Sequence, residues 1–253
     1  MLFKKKKSSQ KPRAIAFVDY ENWYITLDKN YCMRPDLRAW RDELQEQYDV
    51  VDVLFFGDFS NPALRSEISR IREISNLIIE TQNASSYVKK DFTDFIILDH
   101  IYQRALASDN VDVFVLFTGD GHFSSAASFL RNKCRKEVVV YGSEANTSAM
   151  LKNCAGKFVA VPSEKQIKRH RQKLIVSYVR DLHREKENAR VVFGQAADSI
   201  SKKYGIDHDL TVEMIRELID LGILTVQKRY FSGGRFVKLL NVDENAASEH
   251  ALL

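Results

Sequence analysis

Short apolar runs rich in β-branched residues recur along the first 162 positions: AIAFV (14–18), VVDVLFF (50–56), NLIIE (76–80), VDVFVLF (111–117), EVVVY (137–141) and KFVAV (157–161). Between them, stretches at about 35–47, 62–75, 93–107, 122–133 and 145–153 carry apolar residues at helical spacing. Strands this short and this uniformly apolar are covered on both faces. Their alternation with helices predicts an α/β fold, a doubly wound parallel sheet.

The pattern changes after Val161-Pro162-Ser163. Residues 165–187 read as a long basic helix with Leu174, Val176, Tyr178, Val179 and Leu182 as its apolar content. A second helix is expected at about 194–203 and a third at about 209–221, joined by the turn YGIDHD. Two strand-like pieces, ILTVQKRYF and RFVKLLNV, then flank Ser232-Gly233-Gly234. Three helices followed by a hairpin is the order of a winged helix. Two domains are therefore expected, 13–163 and 165–242, with a loose tail from Asp243 to Leu253.

Composition narrows the class. The chain has 253 residues, 45% hydrophobic and 28% charged, close to the globular average. No apolar run approaches the roughly 20 residues that span a bilayer. The start, MLFKKKKSSQK, has basic residues but no apolar stretch behind them, so neither a signal peptide nor a membrane anchor is expected. Three scattered cysteines, Cys32, Cys134 and Cys154, make neither a disulfide framework nor a zinc site. A reducing cytoplasm is the expected location.

The net charge is only +4, but the basic residues are concentrated. Lys4 to Lys7 form a basic tail. Residues 165–203 hold eleven Lys or Arg against four acids, and residues 223–240 hold four against none. One such run is an ordinary solvated surface; three on a small protein point to a polyanionic partner.

Candidate chemistry lies at the ends of strands, where open parallel sheets bind ligands. AIAFV runs into Asp19, VVDVLFFG into Asp58 and VDVFVLFTG into Asp120. Each carboxylate alone would serve as a helix cap, Asp120 in particular. Together on one edge they repel unless protonated or holding a cation. A further acid, Asp94, shares a helix face with Leu98, Ile101 and Ala105, which turns it inward, whereas Asp99 is expected outside. Oxygen ligands without a Cys/His cluster suit Mg²⁺ or Mn²⁺ rather than zinc. Acids, a hard cation and a basic surface together point to phosphodiester hydrolysis. No Gly-x-Gly-x-x-Gly or Walker loop supports a nucleotide sensor.

At this point the sequence resembles a known family. FVDYENW (17–23), GDFS (57–60), KKDFTDFIILDHIYQRA (89–105) and FTGDGHFSSAASFLRNK (117–133) resemble, in order, motifs of the NYN domain, the LabA-like branch of the PIN-like nucleases. The resemblance spans about residues 13 to 163. It implies a metal-dependent endoribonuclease with Asp19, Asp94 and Asp120 as metal-binding acids. Asn22 would orient a water or a phosphate, and Thr118 stands where a Ser or Thr holds the site. RNA, single-stranded or structured, is the implied substrate, and a winged helix would recruit it.

One position departs from the family pattern: His122 replaces the usual second acid of the last motif. An imidazole suits Mn²⁺ better than Mg²⁺. It can also donate a proton to the leaving group or contact the phosphate, or lie on the surface. Glu21 and Asp58 are candidates to restore the lost charge. The alternative function is a catalytically weak RNA- or DNA-binding regulator with a degenerate site.

Tyr20, Trp23 and Tyr24 either stack on unpaired bases or pack a helix onto the sheet. Lys89 and Lys90 are candidate phosphate contacts beside Asp94, and Lys228, Arg229, Arg235 and Lys238 are candidates around the hairpin turn. A protein partner at the winged helix and homo-oligomerisation both remain open.

Overall fold

The computed structural model describes residues 11–81, 92–107, 110–185, 190–230 and 236–253. It divides into two compact units, residues 1–28 with 34–161, and residues 29–33 with 162–253.

The first unit is a six-stranded sheet ordered β3-β2-β1-β4-β5-β6, all pairs parallel. The strands are β1 (Arg13–Asp19), β2 (Asp49–Gly57), β3 (Ile78–Glu80), β4 (Val113–Phe117), β5 (Glu137–Gly142) and β6 (Lys157–Ala160). Helices α1 (Tyr20–Tyr31), α2 (Leu37–Gln47), α3 (Pro62–Arg65), α4 (Ile68–Arg72), α5 (Thr93–Ala107), α6 (Ser124–Asn132) and α7 (Ala149–Cys154) connect them, with a 3-10 turn at Gly121–Phe123 before α6. The doubly wound α/β sheet expected from the apolar runs is present.

Alternation along the strands explains both layers. Ile15, Phe17, Leu54, Phe56, Phe114, Leu116, Val138 and Val140 pack with Ile97 and Ile101 of α5, Ala126, Ala127 and Leu130 of α6, and Leu151 of α7. Phe55, Phe117 and Tyr141 occupy the alternate positions. Against them lie Trp23 of α1, stacked on Phe117 at 3.9 Å between ring centres, and Trp40 of α2. Each such large side chain contributes about 1.5–3 kcal/mol by leaving water.

The sequence pattern does not show α1, whose YENWYITLDKNY mixes aromatic, β-branched and polar residues of low helix propensity. Packing of Tyr20, Trp23 and Leu27 supports it instead. Between 62 and 75 two short helices replace the single expected one.

In the second unit, α8 (Glu164–Glu185), α9 (Phe193–Tyr204) and α10 (His208–Asp220) precede an antiparallel hairpin, β7 (Leu224–Tyr230) with β8 (Phe236–Val242). Val192, just before α9, bridges antiparallel to Leu239 of β8. Ile175, Val179, Ala197, Ile200, Met214, Ile215, Leu218 and Leu240 form the core. Gly205 ends α9 at φ 63°, a left-handed conformation that residues with a Cβ adopt at a cost. Asp207 then caps α10 by accepting the Leu210 N–H at 3.0 Å.

The C-terminal segment is not the expected loose tail. Asp243 caps a short helix, α11 (Glu244–Glu249), and Ala247 and Leu252 join the core. Among the described residues no helix is long and apolar enough to cross a membrane.

Candidate metal centre

In the sheet order, connections leave in opposite directions between β1 and β4, so a crevice opens at their carboxyl ends. A cavity of about 220 Å³ lies there, lined by Asp19, Glu21, Asn22, Ile25, Thr26, Thr93, Asp94 and Asp120. The three acids that the family resemblance implies as metal ligands thus share one cavity with Asn22.

Asp19 closes β1 and is 6% exposed. Its Oδ1 accepts the Asn22 N–H at 3.0 Å, capping α1, and its Oδ2 accepts the Thr118 hydroxyl at 3.4 Å. Thr118 in turn accepts the Asp120 N–H at 3.2 Å. Asp120 caps the 3-10 turn by accepting the His122 N–H at 2.8 Å on Oδ1. Both acids therefore perform the helix-capping job weighed in the sequence. Each carboxylate has lone pairs beyond those one cap uses, so capping leaves room for another partner.

Asp94 stands in the first turn of α5, at the edge of a buried face made by Thr93, Ile97 and Ile101. Its Oδ2 lies 3.0 Å from His122 Nδ1, and Asp120 Oδ1 lies 3.3 Å from the same nitrogen. Among the described residues, Asp94, Asp120 and His122 form a group whose ligand atoms all lie within 4.8 Å of one another. Asp19 is outside that group, its oxygens engaged at the β1–β4 seam. The hydrogen bond to Asp94, then the charges of Asp120 and Asp94, raise the His122 pKa above its ordinary value. The ring is 76% exposed, so it can turn toward an incoming ligand.

Two carboxylates and an imidazole on this spacing fit a divalent cation with mainly oxygen preference. Glu21 reaches the cavity and accepts the Asp58 N–H at 3.1 Å. Asp58 is not among the cavity residues; its carboxylate accepts the Ser60 N–H and hydroxyl.

Tyr20 and Trp23 do not stack on bases, because both are buried. Tyr20 donates its hydroxyl to Glu67 at 2.8 Å. Burial first, and then that bond, raise its pKa. Tyr24 is partly buried against Tyr20. Lys89, Lys90 and Arg235 lie outside the described residues. Lys228, Arg229 and Lys238 are exposed on the hairpin, where Lys228 pairs directly with Lys238.

The sequence reading missed Thr26 and Thr93. Thr26 sits one turn beyond Asn22 on α1, a relation invisible without that helix. Thr93 shares a 2.8 Å hydroxyl bond with Thr81, just past the end of β3. It also missed the 143–148 segment, whose Ser148 N–H bonds the Gly119 carbonyl at 2.9 Å. A Cβ on Gly142 would overlap Thr147 Oγ1 and lie 3.1 Å from the Thr118 carbonyl, so glycine permits this close approach.

Residues 13–168 match the model of the NYN domain. A solved Vibrio parahaemolyticus protein of unknown function is similar, with 25% identity and a TM-score of 0.56 over 62% of this chain and 98% of its own. Comparison with curated proteins returns no significant match. With its motif order, its parallel sheet and its acid-lined crevice, the chain belongs to the NYN domain family.

Proposed function

We propose that the protein is a divalent-metal-dependent endoribonuclease of the LabA-like kind, acting in the cytoplasm, whose second unit is a winged helix that recruits RNA. The observation that carries this reading is the clustering of Asp94, Asp120 and His122 in reach of one ion, beside Asp19 and Asn22 in one crevice. Asp19, Asp94 and Asp120 would hold Mg²⁺ or Mn²⁺, with the His122 imidazole beside Asp94 and Asp120 as a further ligand. What a divalent ion supplies in such a site is an acidified water and neutralisation of charge on the phosphate. Asp19 and Thr118 fix the floor of the crevice, and Asn22 faces the space a phosphate would enter. In the second unit, the order α8, bridge at Val192, α9, α10, β7, β8 supports the winged-helix reading.

The test is incubation of the purified chain with single-stranded and hairpin RNA in Mg²⁺, Mn²⁺ or EDTA. Cleavage with either ion and none in EDTA is expected. RNA retention without cleavage under all three conditions would favour the second reading, a binding protein with a weakened site. The imidazole of His122, which brings one negative charge fewer than an acid, is the observation on that side. His122→Asp is expected to tighten Mg²⁺ binding in calorimetry, and an unchanged affinity would remove His122 from the ligand set.

A further inference from the structure

Antiparallel pairing places Leu224, Val226, Leu240 and Val242 on one face of the β7–β8 hairpin, toward the core. The same face continues outward with Lys228 opposite Lys238, and then Tyr230 opposite Phe236. Like charges directly opposite on a ladder destabilise it. The rings beyond them are 67% and 47% exposed, with centres 5.7 Å apart. The Lys228 ammonium lies 5.4 Å from the centre of the Phe236 ring. Both lysines line a cleft of about 590 Å³ with Val226 of β7, Arg216, Ile219 and Asp220 of α10, and Phe193 of α9. Three cations and one acid thus line the cleft, and two exposed aromatic rings stand on the continuation of its hairpin wall.

We propose that this cleft binds a single-stranded polynucleotide. Bases stack on Tyr230 and Phe236, and phosphates lie on Lys228, Lys238 and Arg216. Phosphate charge relieves the lysine pair. Exposed rings select unpaired strands, because only an unpaired base offers its face; in a duplex both faces are covered by neighbours. Asp220 gives the cleft an acceptor for base amino groups. The proposal deepens the reading of the second unit as an RNA recruiter and is independent of catalysis.

The test uses the full chain in EDTA, with fluorescein-labelled oligouridine and a labelled RNA duplex followed by anisotropy. Replacing both rings, Tyr230→Ala with Phe236→Ala, is expected to weaken oligouridine binding by at least roughly 5-fold, the lower end for a single stacked base. Duplex binding should change less than twofold. Phe236→Trp should retain the oligouridine affinity. Lys228→Glu with Lys238→Glu should reduce the log–log salt slope by about 1.4, for two single-strand phosphates. Unchanged oligouridine affinity in the ring variant, or an equal loss on duplex, overturns the proposal. Absence of cleavage by the parent chain in Mn²⁺, with oligouridine binding intact, would instead count against the nuclease reading.

Discussion

Both units gather like charges, and they handle them differently. At the sheet edge, Asp19, Asp94 and Asp120 meet in a crevice and are supplied with donors: the Asn22 and His122 N–H groups, the Thr118 hydroxyl and the His122 ring. On the hairpin, Lys228 and Lys238 meet on an exposed surface beside an aromatic ring. Donors built into the first region hold its acids in place. The second region has its counter-charge largely outside itself. If each region binds as proposed, the partly buried acids would select a small hard cation by geometry, whereas the open pair of lysines would collect a polyanion and rely on neighbouring rings for discrimination.

The sharpest break in this comparison is removal of a crevice charge with its helix-capping hydrogen bond kept. Asparagine caps helices about as well as aspartate. Asp19→Asn and Asp120→Asn should therefore melt no lower than the parent chain. RNA cleavage should fall by more than the roughly 10–100-fold typical of losing a ligand's outer partner. Gel assays and calorimetry check both halves, and full cleavage in both variants would remove the crevice as the active centre.

A second break acts through packing. Trp23→Ala removes a ring stacked on Phe117 and edge-on to Trp40, at a cost of about 3–5 kcal/mol. Hydrogen exchange should speed up in β4 and β5 while α9 and α10 keep their protection.

Charge reversal at Lys228 and Arg229 probes the other region. Salt titrations with single-stranded RNA should show the slope reduced by about 0.7 for each phosphate that is no longer neutralised. Cleavage of a short oligonucleotide at saturating concentration should not change.

The smallest effect is expected from Asp207→Ala, which removes the α10 cap at about 1 kcal/mol. Denaturant titration should show it as a lower midpoint for the second unit, with the crevice activity unaffected.

The parallel sheet was legible because both its faces are buried, which leaves AIAFV, VDVFVLF and EVVVY almost without polar residues. Asp19 and Asp120 were legible because strand ends in such a sheet converge, and Asp94 from its place on a helix, whereas Asp58 shares the strand-end pattern and lies outside the crevice. Helix α1 was legible only as the packing alternative for Tyr20, Trp23 and Tyr24, since its stability comes from Trp23, Tyr20 and Leu27 against the sheet rather than from its own propensities. With α1 went Thr26. The contact of Asp94 with His122 joins residues 28 apart in the chain, and no local pattern encodes it. In the C-terminal tail, a single cap at Asp243 and two apolar anchors, Ala247 and Leu252, were too sparse a signal for a helix.

The double duty of Asp19 and Asp120 also bears on how such proteins diverge. Aspartate and asparagine codons differ by one base, and both side chains supply the oxygen that the first turn needs. A lineage can therefore lose one crevice charge in a single mutational step and still keep the cap at that position. Gene copies that keep this sheet need not keep its full set of acids.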